Sequence, residues 1–411
     1  MGTALVVGAS LAGLHAARTL RLGGHEGPII VADADVDAPY DKPPLSKQVL
    51  AGEWERDRIV LPAATEDLDL DLRLGLRATE LDASARTVAF AGADGADGAA
   101  TVAFDQLVIA TGAAARRLPD TAGIAGVHVV RTLHDSLALR AELEATPSRV
   151  VVIGAGFIGA EVASTCRRRG LEVTLVEALS VPLERILGAE MGRVCAAVHV
   201  ANGVDLRLGV GVDHLDTIEV GGESRVTGVT LTDGSTVVAD VVVVGIGVQL
   251  NVDWLTESGL TIDDGVVCDA SLRAAPGIVA AGDLARYPSA RFDRMLRIEH
   301  WETAIAGGEA AARTLLAEQR RESAPVFDPV PWFWSDQYDR KIQLAGRPQP
   351  SDECVVVEGS TEEFRFVALY GSGDRLTGVL GMNRPRHVVQ MRMAMEEGIT
   401  FPAALERMAT P

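Results

Sequence analysis

The chain has 411 residues, 47% of them hydrophobic, with 42 glycines and a formal net charge of -19. That length and apolar content suffice for a substantial buried core divided over two or three domains, as in ordinary globular proteins. The acidic balance disfavours nucleic acid and anionic membrane as partners, and the longest apolar runs, 150–160 and 241–248, are too short to span a bilayer.

A strand predicted at 4–7, ALVV, leaves no room for a signal peptide, and Val6 stands where a myristoylation motif needs Ser or Thr, so a cytoplasmic chain is expected. The strand runs into GASLAG, with Gly8, Ser10, Ala12 and Gly13. The strained turn of serine hydrolases is G-x-S-x-G, one residue shorter, so Ser10 is read as part of a nucleotide loop and not as a nucleophile. A second apolar strand at 29–32 ends at Asp33, 20 residues past the last glycine. A carboxylate there accepts hydrogen bonds from a ribose, although Asp35 is an equal candidate and a solvated strand-end acid is the plain alternative. The segment 40–47, YDKPPLSK, carries two prolines expected to force an extended entry before Leu45 and Ser46 start a helix. Residues 91–100, AGADGADGAA, read as a loop between two strands, and 105–112, DQLVIATG, as a buried strand ending in Thr111 and Gly112.

The strand, glycine loop and helix then recur 146 residues on: 149–153 leads into GAGFIG, with Gly154, Gly156 and Gly159. In each loop the first glycine permits the tight turn, the second lets backbone approach a pyrophosphate, and the third lets helix and strand pack closely. The next strand, 173–176, ends at Glu177, with no Arg or Lys before Arg185; a 2'-phosphate would meet an unrelieved negative charge, which favours NADH over NADPH. Residues 240–247, DVVVVGIG, repeat the closing strand and end in Gly247. Another apolar strand, 276–283 (PGIVAAGD), delivers Gly282 and Asp283, the latter alternatively a helix N-cap. Three prolines in 324–331 mark a boundary, beyond which strands at 342–345, 354–358, 364–370 and 376–382 precede a helix at 385–397. The four cysteines, Cys166, Cys195, Cys268 and Cys354, are scattered without CxxC, and no metal site is expected.

The segments YDKPPLSK, GASLAG, GAGFIGAE and AAGD together resemble the bacterial FAD-dependent, NADH-using ferredoxin reductases that feed oxygenases, within the glutathione reductase-like flavoproteins. The resemblance covers essentially the whole chain. It implies an α/β fold: an FAD-binding Rossmann-like domain (1–114 and 249–323), an NAD-binding one (115–248), and a small C-terminal α+β domain (324–411). It implies Lys47 beside the flavin ring and Glu161 near the nicotinamide, in the first turn of the second nucleotide helix and within reach of Lys47. A cation at Lys47 would stabilise negative charge on the reduced ring. It further implies Asp283 on the ribityl chain, Arg131 approaching the flavin, Ala78 at the adenine side and Trp301 at the pyrimidine end. In 332–338, WFWSDQY, the tryptophans are either core or, Trp334 foremost, the lining of an electron exit.

The cysteine pair of disulfide reductases is missing from 40–47, so the chemistry must live on FAD and NADH. The partner implied is an iron–sulfur ferredoxin, 2Fe–2S in type, taking electrons singly from a monomer or weak homodimer. Arg297, Arg340, Lys341, Arg384 and Arg386 are expected to form a positive dock for it. A reductase of rubredoxin, quinone or small oxidants, and an NADH-sensing flavoprotein, remain as rival readings.

Overall fold

The computed structural model describes residues 2–62, 68–92, 100–145 and 147–409. The chain divides into two compact units: Met1–Asp41, Ile59–Ala114 and Gln249–Pro331 form the first, and Lys42–Arg58, Ala115–Val248 and Trp332–Pro411 the second.

The first unit is organised by the strand Ala4–Val7, buried along its whole length. It pairs in parallel with Ile29–Ala32 on one side and Gln106–Ile109 on the other, within a six-stranded sheet completed by Leu70–Arg73, Ile278–Ala280 and the antiparallel edge Arg273–Ala275. Continuous apolar runs suit these strands because helices cover a parallel sheet on its faces. The register places Val7, Ala32, Ile109 and Ala280 at one edge, so Gly8, Asp33, the Thr111 turn and Gly282 emerge at the carboxyl ends of neighbouring strands. The helices Leu11–Leu22 and Trp301–Arg320 pack together closely enough that a Cβ on Gly308 would lie 2.1 Å from the Ala12 carbonyl oxygen.

The second unit repeats the plan with five parallel strands in the order Asp205–Leu208, Glu172–Glu177, Arg149–Ile153, Val241–Val244 and Val127–His128. Its core joins Val150, Val152, Leu175 and Val243 to Leu139, Leu143 and Leu50. Leu50 belongs to the segment Lys42–Arg58, which the sequence places in the FAD-binding half; in the structure this segment is part of the second unit, and Leu50 packs in this second core. Pro43–Ser46 is a 3-10 helix and not an extended entry, because proline is tolerated in a first helical turn, where its missing N–H costs nothing. A short helix, Gln48–Ala51, follows.

The second unit also contains a three-stranded antiparallel sheet, Val212–Val220, Glu223–Leu231 and Thr236–Val238, and an antiparallel five-stranded sheet in the order Trp332–Gln337, Arg340–Gly346, Arg375–Met382, Arg365–Ser372 and Glu353–Ser360. The inner face of the five-stranded sheet, with Phe333, Ile342, Phe366 and Leu380, packs on Leu187, Met191 and Val198 of the helix Glu184–Ala201. Helices Pro385–Glu396 and Phe401–Ala409 follow, only the first of which the sequence predicts. The loop read at 91–100 falls between the strands Thr87–Gly92 and Ala100–Ala103, and residues 93–99 lie outside the described residues. No described helix is long and apolar enough to cross a membrane.

Candidate active site

The two glycine loops superimpose in their chemistry. Gly8 and Gly154 hold φ of 112° and 98°, and a Cβ on either would come within 2.2 Å or 2.4 Å of a backbone oxygen, that of Ala110 or Gly245. A Cβ on Gly13 or Gly159 would collide with the carbonyl oxygen of Gly8 or Gly154. The middle position differs. Gly156 has φ -70° and ψ 179°, with nothing within 4 Å of where a Cβ would stand. Ser10 adopts nearly the same backbone, φ -81° and ψ -170°, so a side chain is tolerated there without strain. Neither helix has an acidic residue in its first turn, and the Ser10 side chain makes no capping hydrogen bond, so both amino-termini present amides that suit an anion.

The strand-end acids match as well. Asp33 accepts hydrogen bonds from the backbone N–H of Ala9 and, at 2.8 Å, from that of Asp35; Glu177 accepts from Ala155 N–H at 2.8 Å and Leu179 N–H at 2.9 Å. Asp33 is therefore the counterpart of Glu177. Asp35 instead accepts the Tyr40 hydroxyl at 2.8 Å and the N–H of Asp37.

Elsewhere in the first unit, Thr111 and Asn251 bind reciprocally: the Thr111 hydroxyl donates to the Asn251 carbonyl and the Asn251 amide to the Thr111 carbonyl, both at 2.8 Å. The N–H of Asn251 also donates to the Gly112 carbonyl. Gly282, at φ 79°, approaches Ala12. Asp283 lies in a turn before the strand Ala285–Ser289, so the helix N-cap alternative fails; its carbonyl accepts from Arg297. Trp301 opens its helix half-buried and donates from Nε1 to Asp41 at 2.7 Å, which is not the environment of a plain core aromatic. Ala78 lies on the strand Leu76–Asp82, paired with Phe90 and next to a bulge.

In the second unit, Lys47 and Glu161 meet. The Lys47 ammonium donates to Glu161 Oε2 at 2.7 Å, with the two residues only 7% and 3% exposed. Glu161 is the fifth residue of the helix Phe157–Arg168, in its second turn and not its first, and so points inward among packed segments. Its other partners are the Ser46 hydroxyl on Oε2 and, on Oε1, the Ser335 hydroxyl at 2.8 Å and the Asp336 N–H at 3.3 Å. The Lys47 segment is itself pinned by hydroxyls: Ser136 donates to the Leu45 carbonyl at 2.7 Å and Thr165 to that of Ser46 at 2.9 Å. Removing one partner of such a buried pair would leave an uncompensated charge, at a cost of roughly 3–5 kcal/mol. Gly247 sits at φ 98°, its carbonyl accepting from Arg116 N–H, and Arg131 precedes a capping box made by Thr132 and Asp135.

Ser46 and Ser335 are site residues that the sequence motifs do not single out. The strand Trp332–Gln337 alternates, with Phe333, Ser335 and Gln337 buried and Trp332 and Trp334 half-buried on the opposite face. A serine at an inward position signals a buried polar partner. The tryptophans are not in the core; they stack on each other with centroids 5.3 Å apart. The expected positive dock is largely neutralised. Arg297 pairs with Glu299 and Asp264, Arg340 with Asp339, Lys341 with Asp336 and Arg384 with Glu358, leaving Arg386 exposed. Burial pushes the thiols of Cys166, Cys195 and Cys268 up to about 12, far from a reactive thiolate. Among the described residues no group of three or more His, Cys, Asp or Glu could hold a metal ion.

Two dinucleotide cradles in one chain, each closed by a strand-end carboxylate, define a flavin- and pyridine-nucleotide-dependent oxidoreductase. The chain belongs to the pyridine nucleotide-disulphide oxidoreductase family, which residues 3–308 match, and residues 332–408 match the reductase C-terminal domain. It is 36% identical over 386 residues to rhodocoxin reductase of Rhodococcus erythropolis, covering 93% of this chain and 86% of that protein. It is 35% identical over 389 residues to putidaredoxin reductase CamA of Pseudomonas putida, covering 93% and 88%. The crystal structure of the covalent putidaredoxin reductase–putidaredoxin complex matches with a TM-score of 0.87 at 32% identity, over 96% of this chain and 93% of that one. The cofactors are FAD and NAD(H), and the residues fit them: the open space at Gly156, two helix starts free of acid, and a carboxylate at the end of the second strand of each cradle.

Proposed function

We propose that this chain takes hydride from NADH onto FAD and passes single electrons to an iron–sulfur ferredoxin, 2Fe–2S in type, that serves an oxygenase. The observation that carries this reading is the doubled cradle, joined to similarity over 93% of the chain to rhodocoxin and putidaredoxin reductases. The flavin, when bound, accepts two electrons together and can release them one at a time. The protein contributes positioning and electrostatics. Residues 1–114 with 249–323 would hold FAD through Gly8, Ser10, Ala12, Gly13, Asp33, Ala78, Thr111, Gly112, Gly282, Asp283 and Trp301. Residues 115–248 would hold NADH through Gly154, Gly156, Gly159, Glu177 and Gly247, and 324–411 would present Trp334 toward the electron exit. Lys47, held by Glu161, supplies the cation facing the flavin, and Arg131 approaches the same cofactor. The enzyme works in the cytoplasm as a monomer or weak homodimer.

Mixing the FAD-loaded protein with NADH tests this. Fast steady NADH oxidation only after a 2Fe–2S ferredoxin is added is the expected result. Equal or faster turnover with rubredoxin, quinone or small oxidants would replace the acceptor, and a long-lived NADH complex with NADH-triggered dimerisation would replace electron transfer by sensing.

A further inference from the structure

Glu161 ties together three stretches distant in sequence: the Lys47 segment, its own helix and the strand Trp332–Gln337. Its two oxygens are differently served. Oε2 takes the Lys47 ammonium and the Ser46 hydroxyl, whereas Oε1 takes the Ser335 hydroxyl and one longer backbone N–H. A serine hydroxyl has one proton to give. The Gln337 side-chain amide donates to the Ser335 oxygen at 3.2 Å, so the Ser335 proton is free to point at Glu161. Ser335 and Gln337 are both fully buried.

We propose that Ser335, oriented by Gln337, is a positioning residue that acts through Glu161 to set how strongly Lys47 is drawn away from the flavin. This rests on the reading of Lys47 as the flavin-facing cation. Hydrogen bonds to a carboxylate spread its charge over several donors. With Ser335 in place, Glu161 holds Lys47 without monopolising it. Without that hydroxyl, Oε1 keeps only the Asp336 N–H, the carboxylate draws harder on the ammonium, and less of the cation's field reaches negative charge on the reduced ring. The same hydroxyl sits in the C-terminal reductase domain, so that domain would tune a site built mainly from other parts of its unit.

The test uses full-length FAD-loaded protein and reads the two-electron flavin midpoint potential, the rate of flavin reduction by NADH and the affinity for NAD+ in Ser335→Ala, Ser335→Thr and Lys47→Met. Ser335→Ala is expected to lower the potential by an amount equal to a five-fold change in equilibrium constant, about 20 mV for a two-electron couple. It should slow flavin reduction by a similar factor with NAD+ affinity unchanged, and Ser335→Thr should restore both. Should Ser335→Ala fail to retain FAD, Gln337→Leu, which keeps the serine and removes its orienting donor, is expected to lower the potential in the same direction. A wild-type potential in Ser335→Ala, or a threonine variant that behaves like the alanine one, overturns the inference. If Lys47→Met leaves the potential unchanged, the Lys47 reading fails and this inference with it; a shift in Lys47→Met with none in the serine variant overturns the inference alone.

Discussion

Glu177 accepts the backbone N–H of Ala155 at 2.8 Å, so the acid that would meet the NADH ribose also fixes the turn that would meet its pyrophosphate. One side chain would thus couple specificity to loop geometry. Glu177→Gln retains an acceptor for Ala155 and loses the charge. It should cut kcat/KM for NADH by about five-fold and raise that for NADPH, narrowing the preference between them, whereas Glu177→Ala should weaken both. Steady-state kinetics with the two nucleotides decides, and an unchanged NADH preference in Glu177→Gln would count against the ribose role.

Asp33 and Asp35 are separated by the same logic. Asp33 shares Glu177's geometry, while Asp35 is engaged by Tyr40. Asp33→Ala is expected to weaken FAD binding by roughly ten-fold or more, about 1.4 kcal/mol, and Asp35→Asn to change it by less than about two-fold. FAD retention on dialysis, read by flavin absorbance, distinguishes the two.

Ser10 occupies a backbone position that glycine does not need, as its extended dihedrals show. Ser10→Gly should leave NADH oxidation with ferricyanide largely intact. Loss of that activity in protein that still holds FAD would give the hydroxyl a role beyond lining the loop.

Because four of the five candidate docking cations are matched by carboxylates, a steep electrostatic attraction for an acidic ferredoxin is not expected. Raising salt from about 50 to about 300 mM should change ferredoxin kcat/KM by less than about three-fold. A fall of ten-fold or more, with ferricyanide reduction unaffected, would restore the charged dock.

His199 is buried with its Nδ1 2.8 Å from the Tyr338 hydroxyl, and burial pushes its pKa down from 6.5 to about 4. The unfolded chain therefore binds a proton that the folded one refuses between those values. Its contribution to stability is intact above pH 6.5 and declines as pH falls toward 4, by up to about 1.4 kcal/mol per unit. Melting temperature against pH should fall less steeply across that window in His199→Phe than in the wild type.

What could be read from sequence was local. The loops at Gly8 and Gly154 announce themselves because a positive φ and close backbone contacts admit only glycine there, and the strand-end acids follow at a fixed remove. Long-range partnership left weaker traces. Val49 and Leu50 say that their short helix is buried, but nothing in Leu50 names the core it joins. Ser335 lies 174 residues from Glu161, and only the alternation of its strand hints that a polar group faces inward. The ion pairs that neutralise the expected dock are likewise set by folding: Lys341 and Asp336 face each other across a hairpin, and Arg384 reaches back to Glu358.

The first unit draws its sheet from pieces far apart: Ile278–Ala280 pairs with Gln106–Ile109 across the whole inserted segment. The second unit's parallel sheet is closed within Val127–Val244. During synthesis the second nucleotide sheet can therefore complete itself while the first still lacks a neighbour for its strand Gln106–Ile109. The glycine loop at Gly8, made before the one at Gly154, belongs to the sheet that closes later, and in the interval that exposed strand edge is where misassembly would begin.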